Sequence, residues 1–510
     1  MKKLYLLLSL IVALFLFTRL FRITKSPPSL YWDEASIGYN AYSISQNLKD
    51  EWGAILPVHF RAFGEFKLPV YIYTTAIFVK LFGLSEFSVR FPAVLFSLGT
   101  VIILFLLTLK IAKNKSAALF SAFFISISPW FFIFSRVGYE ASAGVMFFLL
   151  GIYLSILALD NPQWFIVASF SFIGSIYSYN SFRVILPLFL LITVPVFLLT
   201  NRSKMKNYVV PLIISFAFLL VSVIPIYRLY KYDAGAVRLS TVGVPLKLSS
   251  IPQITGNYLS HYSLNFLFIS GDSNSRSNGF GNGEVYLVDL PLFFFGLIYI
   301  FKKRNLKLYL PFFLLILSPI PAAITTQSPH ALRAILFAPA LAIICAIGLN
   351  YFIQIIPKIY KSVVLVLVVI LYLVLFGLNF WHFINSYSQK NSGDWQYGYK
   401  EIFLTYKNDF AKYNKVIISD DYAQPYIFAL FYLKYDPNSF RQTVMYNPVN
   451  NWGFSTVESF GKFVFKKIQL TDLQKNTLVF ASNDDKIKGV NPVGEIKNLN
   501  GTVSLWIYSR

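Results

Sequence analysis

Apolar runs of about 18 residues or more recur along most of this chain, the length an α-helix needs to cross a bilayer. Nothing else in the sequence constrains the fold as strongly: the chain reads as a polytopic membrane protein. Composition agrees, since 56% of the 510 residues are hydrophobic and only 13% are charged. The runs place spans near 4–21, 87–110, 117–134, 141–159, 163–180, 184–200, 208–227, 286–301, 308–324, 331–353 and 363–384, eleven in all. The first begins after Met1-Lys2-Lys3, lacks a small-residue cleavage site and ends in Thr18-Arg19-Leu20-Phe21-Arg22, so it reads as an uncleaved span rather than a signal peptide.

The formal net charge of +22 would suggest nucleic acid in a soluble protein. Here Lys and Arg cluster in short loops between spans, where they set topology and meet anionic lipid headgroups, so no nucleic-acid partner is expected. Lys2-Lys3, Lys110/Lys113/Lys115, Arg202/Lys204/Lys206, Lys302-Lys303-Arg304/Lys307 and Lys358/Lys361 all fall on one side when eleven spans are counted. The expected location is therefore the cytoplasmic membrane, multi-pass, with the N-terminus inside and the C-terminus outside. Residues 68–83 are apolar but short: at about 1.5 Å per residue they reach about 24 Å, less than a hydrocarbon core of about 30 Å. They read as a partly embedded interfacial helix. The single cysteine, Cys345, rules out an intramolecular disulfide and any zinc site built from two cysteines.

Residues 1–384 form the membrane domain in this reading. Residues 385–510 change character: "KVIIS" at 415–419, "PYIFALFYLKY" at 425–435, "TLVFAS" at 477–482 and "VSLWIY" at 503–508 alternate strand-like and helix-like pieces, as in a small extracytoplasmic α/β domain. Chemistry then belongs on the outer side, where the long loops lie. The first of them holds Asp33-Glu34, and Asp33 could cap a helix starting near Ala35. The following Ile37, Tyr39-Asn40-Ala41, Ile44 and Leu48 suit a helix lying flat on the membrane, with Tyr39 a candidate substrate contact. Lys67 stands before the short interfacial helix, at a depth where a cation can meet a lipid phosphate. Glu140, with Arg136 as a nearby partner, and Arg183 stand at outer ends of spans. A Gly- and Ser-rich loop at 268–291 carries Asp272, Arg276, Glu284 and Asp289, and such a loop can wrap closely on a ligand's oxygens. His330 and Arg333 stand where a later span begins. Taken together, the bases suit a phosphate or diphosphate at headgroup level, and a carboxylate could act as general base for an acceptor hydroxyl.

The ordered set "YWDEASIGYNAYSI", "LPVHFRAFGEFKLPVYIY", "SEFSVRFPAVLF", "SPWFFIFSRVGYEA", "YNSFRVILP", "SGDSNSR" and "HALRAI" resembles the bacterial branch of the protein O-mannosyltransferase family, polytopic C-type glycosyltransferases related to the lipid A aminoarabinose transferases. "DWQYGYKEI", 394–402, also looks like members of this group. The resemblance implies an α-helical polytopic fold that moves a sugar from a polyprenyl-phosphate carrier to an acceptor on the outer face. It puts Asp33, with Glu34 beside it, at the catalytic position and Glu140 at the second acidic one. Lys67 takes the carrier phosphate, and Arg276, His330 and Arg333 take the "GDxNxR" and "HxLR" positions. Asp33 with Glu140 could hold Mg²⁺ or Mn²⁺ through oxygen ligands, as in related oligosaccharyltransferases. Ser36 stands where aminoarabinose transferases have an Arg, and Ser277 where many relatives have His. The resemblance leaves the acceptor open between a protein, a lipid and a glycan. The competing readings are a transporter or flippase, which would show mid-membrane charges or a repeated architecture, and a non-catalytic partner whose tail is a binding module.

Overall fold

The computed structural model describes residues 2–63, 65–232, 241–448 and 455–510. The chain divides into two compact units. One comprises Met1–Phe21, Ala93–Tyr232 and Val242–Trp381; the other comprises Arg22–Pro92, Asp233–Thr241 and His382–Arg510.

The first unit is helical. Among its helices are α1 (Lys2–Leu20), the body of α4 (Glu86–Ala112), α5 (Lys115–Ile127), α6 (Pro129–Phe134), α7 (Ala141–Leu157), α8 (Trp164–Ile176), α9 (Asn180–Thr200), α10 (Met205–Tyr232), α11 (Ile251–Ser260), α12 (Asp289–Lys303), α13 (Leu310–Leu317), α14 (Ile320–Ala323), α15 (Phe337–Ile355) and most of α16 (Lys361–His382). Every segment read as a span is helical over most of its length. Seven stretches of helix among the described residues are long and apolar enough to cross a membrane: 2–20, 86–112, 180–200, 202–231, 306–323, 337–355 and 358–391. The chain is thus an α-helical multi-pass membrane protein.

Where helices stop differs from the apolar runs. The run 117–134 is two helices, because Ser128 precedes Pro129 and is held extended (ψ 125°). Its hydroxyl accepts from Phe131 N and starts α6 afresh. Helices α12 and α15 meet backbone to backbone: a Cβ on Gly348 would lie 1.8 Å from Leu292 O.

In the second unit, α2 (Trp32–Asn47) is followed by a hairpin of β1 (Phe60–Ala62) and β2 (Glu65–Lys67), then by α3 (Pro69–Phe82) and the first turns of α4. Phe60 pairs with Lys67 and Ala62 with Glu65. The C-terminal part forms a seven-stranded mixed sheet from β3 (Lys415–Ile418), β4 (Met445–Tyr446), β5 (Val457–Phe460), β6 (Phe463–Phe465), β7 (Thr477–Ala481), β8 (Gly494–Lys497) and β9 (Val503–Ser509), in the order β4-β5-β6-β3-β7-β9-β8. Strand β3 runs parallel to β6 and β7; the other pairs are antiparallel. All four pieces read from the sequence are here, three as strands and 425–435 as α18 (Pro425–Tyr432), which follows α17 (Tyr397–Thr405). One sheet face packs Ile417, Val479, Ala481 and Tyr508 with Ile468 and Ile487. The segment 385–510 therefore shares a unit with the first long loop.

Helix α2 does not lie flat on a lipid surface. Residues 34–41, Ser43 and Ile44 are buried by protein, and a Cβ on Gly38 would stand 2.4 Å from the Phe431 ring of α18. The short helix α3 does keep an exposed apolar face, at Ile77, Leu81 and Phe82.

Candidate active site

Asp33 is the second residue of α2, in its first turn, where backbone N–H groups favour a carboxylate. The helix begins at Trp32, so Asp33 is not its cap: the N-cap is Tyr31, which supplies no side-chain bond. The cap comes from far along the chain. Gln396 Oε1 accepts from Trp32 N at 3.0 Å, while Gln396 Nε2 donates to the carbonyls of Tyr422 and Ala423. Trp395, fully buried, sets its ring edge-on to Tyr31, and its Nε1 donates to the Tyr387 hydroxyl at 2.9 Å. The motif "DWQYGYKEI" thus holds the start of the helix that carries Asp33.

Lys67 Nζ lies 2.5 Å from Asp33 Oδ1 and 3.2 Å from Glu65 Oε1. The lysine is buried (4% exposed), whereas Asp33 and Glu65 keep 25% and 20% exposure. A buried ammonium needs such partners. The β1–β2 hairpin delivers it: pairing puts Glu65 and Lys67 at alternate positions of one strand, on one face. Asp33 and Lys67, 34 residues apart in sequence, are therefore in direct contact.

Glu34 has a different task. It is fully buried, and both its oxygens accept from Arg90, at 3.0 Å from Nε and 3.2 Å from Nη2. Arg90, also fully buried, donates further to the carbonyls of Ile23, Pro27 and Ser29 at 2.8, 2.9 and 2.5 Å. This staple fixes the segment that leads into α2. The expectation that Glu34 is catalytic is corrected: no face of it is open to a substrate. Tyr39 is corrected likewise. Its ring is fully buried edge-on to Phe440, and its hydroxyl donates to Tyr435 O at 3.1 Å, so it packs the helix rather than meeting a substrate.

The first unit holds the remaining candidates. Glu140 is the N-cap of α7. The Tyr139 hydroxyl beside it donates to Arg276 O at 3.1 Å, which ties the Glu140 corner to the glycine loop. Arg136 is buried and donates to the carbonyls of Thr18, Arg19 and Phe21, capping the end of α1. Arg183, in the first turn of α9, donates to Ile176 O at 3.1 Å.

The glycine loop is knit by its own side chains. Asp272 Oδ1 accepts from Asn274 N at 2.9 Å, Asn274 Oδ1 from Arg276 N at 3.1 Å, and Asn278 Nδ2 donates to the carbonyls of Ser270 and Asn282. Gly271 takes φ +69°, and a Cβ there would strike Asn282 O at 2.4 Å. Asp272 also reaches the "HALR" segment: its Oδ2 accepts from Ala331 N at 2.7 Å and lies 3.5 Å from His330 Nδ1. His330 N–H donates to His261 Nε2, and burial lowers the His261 pKa to about 4, so that ring is a neutral acceptor. Arg333 Nη1 donates to the Thr325 hydroxyl at 2.6 Å. Beneath the loop, Glu284 is buried and accepts from Asp272 N at 2.9 Å; burial raises both carboxyls above their ordinary range. Asp272, His330 and Arg333 thus share one corner, with Arg276 on the loop that Asp272 anchors.

Sequence reasoning assigned no role to Arg90, Glu65, Gln396 or His261. Arg90 and Gln396 do stand inside quoted motifs, "SEFSVRFPAVLF" and "DWQYGYKEI", and that was the available signal. Among the described residues no three His, Cys, Asp or Glu side chains gather as metal ligands do, and Asp33 is engaged by Lys67.

Residues 67–227 match the sequence profile of dolichyl-phosphate-mannose-protein mannosyltransferases. No curated protein matches the chain. Among solved structures, it resembles ArnT from Cupriavidus metallidurans in the apo state at a TM-score of 0.58 and 12% identity, covering 99% of this chain and 98% of ArnT. The same protein bound to undecaprenyl phosphate gives 0.56. The oligosaccharyltransferase AglB from Archaeoglobus fulgidus, with an inhibitory peptide and a dolichol-phosphate, gives 0.55 at 13% identity over 84% of this chain. This chain spans 63% of AglB's length there, and 61% of it in the complex with zinc and sulfate. At such identities the likeness shows the fold: that of the C-type glycosyltransferases.

Proposed function

We propose that this chain, a protein O-mannosyltransferase-like protein with the C-type glycosyltransferase fold, moves a single sugar from a polyprenyl-phosphate carrier to an acceptor hydroxyl at the non-cytoplasmic face of the membrane. The observation that carries the reading is the Lys67–Asp33 pair: a buried cation held against a partly exposed carboxylate in the first turn of a helix. The likeness to ArnT, a structure of which holds undecaprenyl phosphate, supports the donor class.

In this mechanism the carrier phosphate approaches Lys67 and competes with Asp33 for the ammonium. The freed Asp33 oxygen accepts the proton of the acceptor hydroxyl. The acceptor oxygen bonds to the anomeric carbon as the bond from that carbon to the phosphate oxygen breaks. The electron pair leaves with the polyprenyl phosphate, and attack from the opposite side inverts the anomeric centre. Lys67 steadies the charge the phosphate gains. The resemblance gives Glu140 the second acidic, catalytic position and gives Arg276, His330 and Arg333 motif positions for substrate binding, a role for which Arg183 and Asp272 are further candidates. No step runs through a metal ion.

The test is transfer of radiolabelled sugar from polyprenyl-phosphate donors in proteoliposomes. Asp33→Asn lowers the rate by about 10²–10⁴-fold, the usual worth of a positioned base. Lys67→Met raises the donor KM. Full transfer by Asp33→Asn ends the assignment.

A further inference from the structure

The sheet of the second unit has a corner its helices leave open. Side chains alternate along strands, so Leu478 and Phe480 on β7 and Ile507 on β9 face away from the core of Val479, Ala481 and Tyr508. Helix α17 covers that other face and stops at Tyr406, its C-cap (φ −97°, ψ 8°). The chain then turns through Asp409–Lys412 to Tyr413. Between helix end, turn and sheet lies a cavity of about 140 Å³, lined by Tyr406, Asp409, Tyr413, Leu478, Gly494 and Ile507.

The cavity is preformed. Asp409 N and Phe410 N both donate to Tyr406 O, at 3.0 and 3.2 Å. Lys462 Nζ donates to the carbonyls of Phe410 and Tyr413 at 2.8 and 3.2 Å, holding the turn down. The Tyr406 ring is braced edge-on by Phe480.

Its size and lining select a ligand. An apolar cavity of about 150 Å³ admits one benzene-sized ring, so this one suits a single six-membered ring. Leu478 and Ile507 are buried and make an apolar floor; the tyrosines offer ring faces with polar tips. Asp409 supplies acceptor oxygens, and Lys412, 2.6 Å away, keeps that pair neutral overall. The α17 carbonyl end and Asp409 disfavour a phosphate. An acyl chain would lie against the tyrosine hydroxyls and Asp409 without a group to hydrogen-bond them. A pyranose answers every group: its C–H face lies on the aromatic and apolar walls, and its hydroxyls donate to Asp409.

We propose that this cavity is a subsite for a neutral pyranose of a glycan acceptor, a role that rests on the glycosyl-transfer reading above. Gly494 is where the site can be blocked, since a Cβ there would stand 3.4 Å from Ile507 Cδ1 and 4.0 Å from the Tyr406 hydroxyl.

The test uses the full chain in nanodiscs and saturation-transfer NMR with two probes, methyl α-D-mannopyranoside and methyl N-acetyl-β-D-glucosaminide. At least one probe receives saturation. Its dissociation constant rises about tenfold in Tyr406→Ala and in Gly494→Leu, a shift of the size one lost aromatic contact gives. Asp33→Asn leaves binding unchanged. Should Tyr406→Ala or Gly494→Leu fail to fold, Asp409→Asn serves, because Asp409 is 41% exposed and its replacement leaves the sheet intact. Absence of saturation for both probes overturns the proposal, as does binding indifferent to the cavity variants or lost in Asp33→Asn. A chain that binds a probe here yet transfers no sugar from any polyprenyl-phosphate donor sinks the acceptor role and the enzyme reading together, while the pyranose site stands.

Discussion

Arg90 and Glu34 are both wholly withdrawn from solvent, and neither can be removed cheaply. Replacing one member of a buried pair leaves the other charged without a partner, at about 3–5 kcal/mol. Arg90→Ala also frees the three carbonyls that fix the approach to α2. Its expected signature is a large drop in melting temperature of the purified protein, whereas Asp33→Asn, which keeps an oxygen for Lys67 and leaves it Glu65 as a charged partner, loses transfer with a smaller change in melting. Glu51 gives the second prediction at this scale. It is fully buried, accepts from the Tyr426 hydroxyl at 2.7 Å, and burial raises its pKa from 4.5 to about 7. The folded state therefore holds the proton more tightly than the unfolded one between those values. Stability falls as pH rises from about 4.5 to about 7, by on the order of 3 kcal/mol, and is flat above. Glu51→Gln keeps the acceptor for Tyr426 and abolishes that slope in melting temperature against pH.

At the scale of elements, the start of α2 shows what a sequence can and cannot say. Asp33 and Lys67 were legible as an acid and a base near an apolar helix, since residue type and position suffice for that. Glu34, adjacent to Asp33 and chemically alike, was not separable from it: only the turn of the helix aims one at Lys67 and the other at Arg90. "DWQYGYKEI" was visible as a motif, but its task was not, because the bond from Trp32 N to Gln396 spans 364 residues and leaves no local pattern. Gln396→Ala tests that bond. Loss of a helix cap costs about 1 kcal/mol, so the protein still folds. The first turn loosens, and the turnover number falls further than the donor KM rises. Gln396→Glu, which keeps the acceptor for Trp32 N, recovers part of the turnover.

For the whole molecule, the apolar runs cover all seven helices that are long and apolar enough to cross a membrane among the described residues, because hydropathy reports burial in lipid directly, while the runs at 117–134, 141–159 and 163–180 hold shorter helices. They missed the break at Ser128-Pro129, which backbone sterics decide without any change in hydropathy. They also missed which segments fold together, since only tertiary contact reveals that residues 22–92 share a unit with 382–510. That grouping argues against treating the tail as a removable module. Besides Gln396 on Trp32, Tyr432 donates to Glu86 at 2.8 Å, Lys400 pairs with Glu86 at 2.9 Å, and Lys400 also donates to Pro28 O at 2.8 Å. Ending the chain after residue 384 strips these partners from the loop that carries Asp33 and exposes the apolar face of α2 once covered by α18. Such a truncation should lose sugar transfer entirely. Limited proteolysis should then cut it within residues 22–92 while the full chain resists there. A truncated protein that transfers sugar at the full rate with an uncleaved first loop would show that the C-terminal segment is an appendage, and that Asp33 owes its placement to residues 22–92 alone.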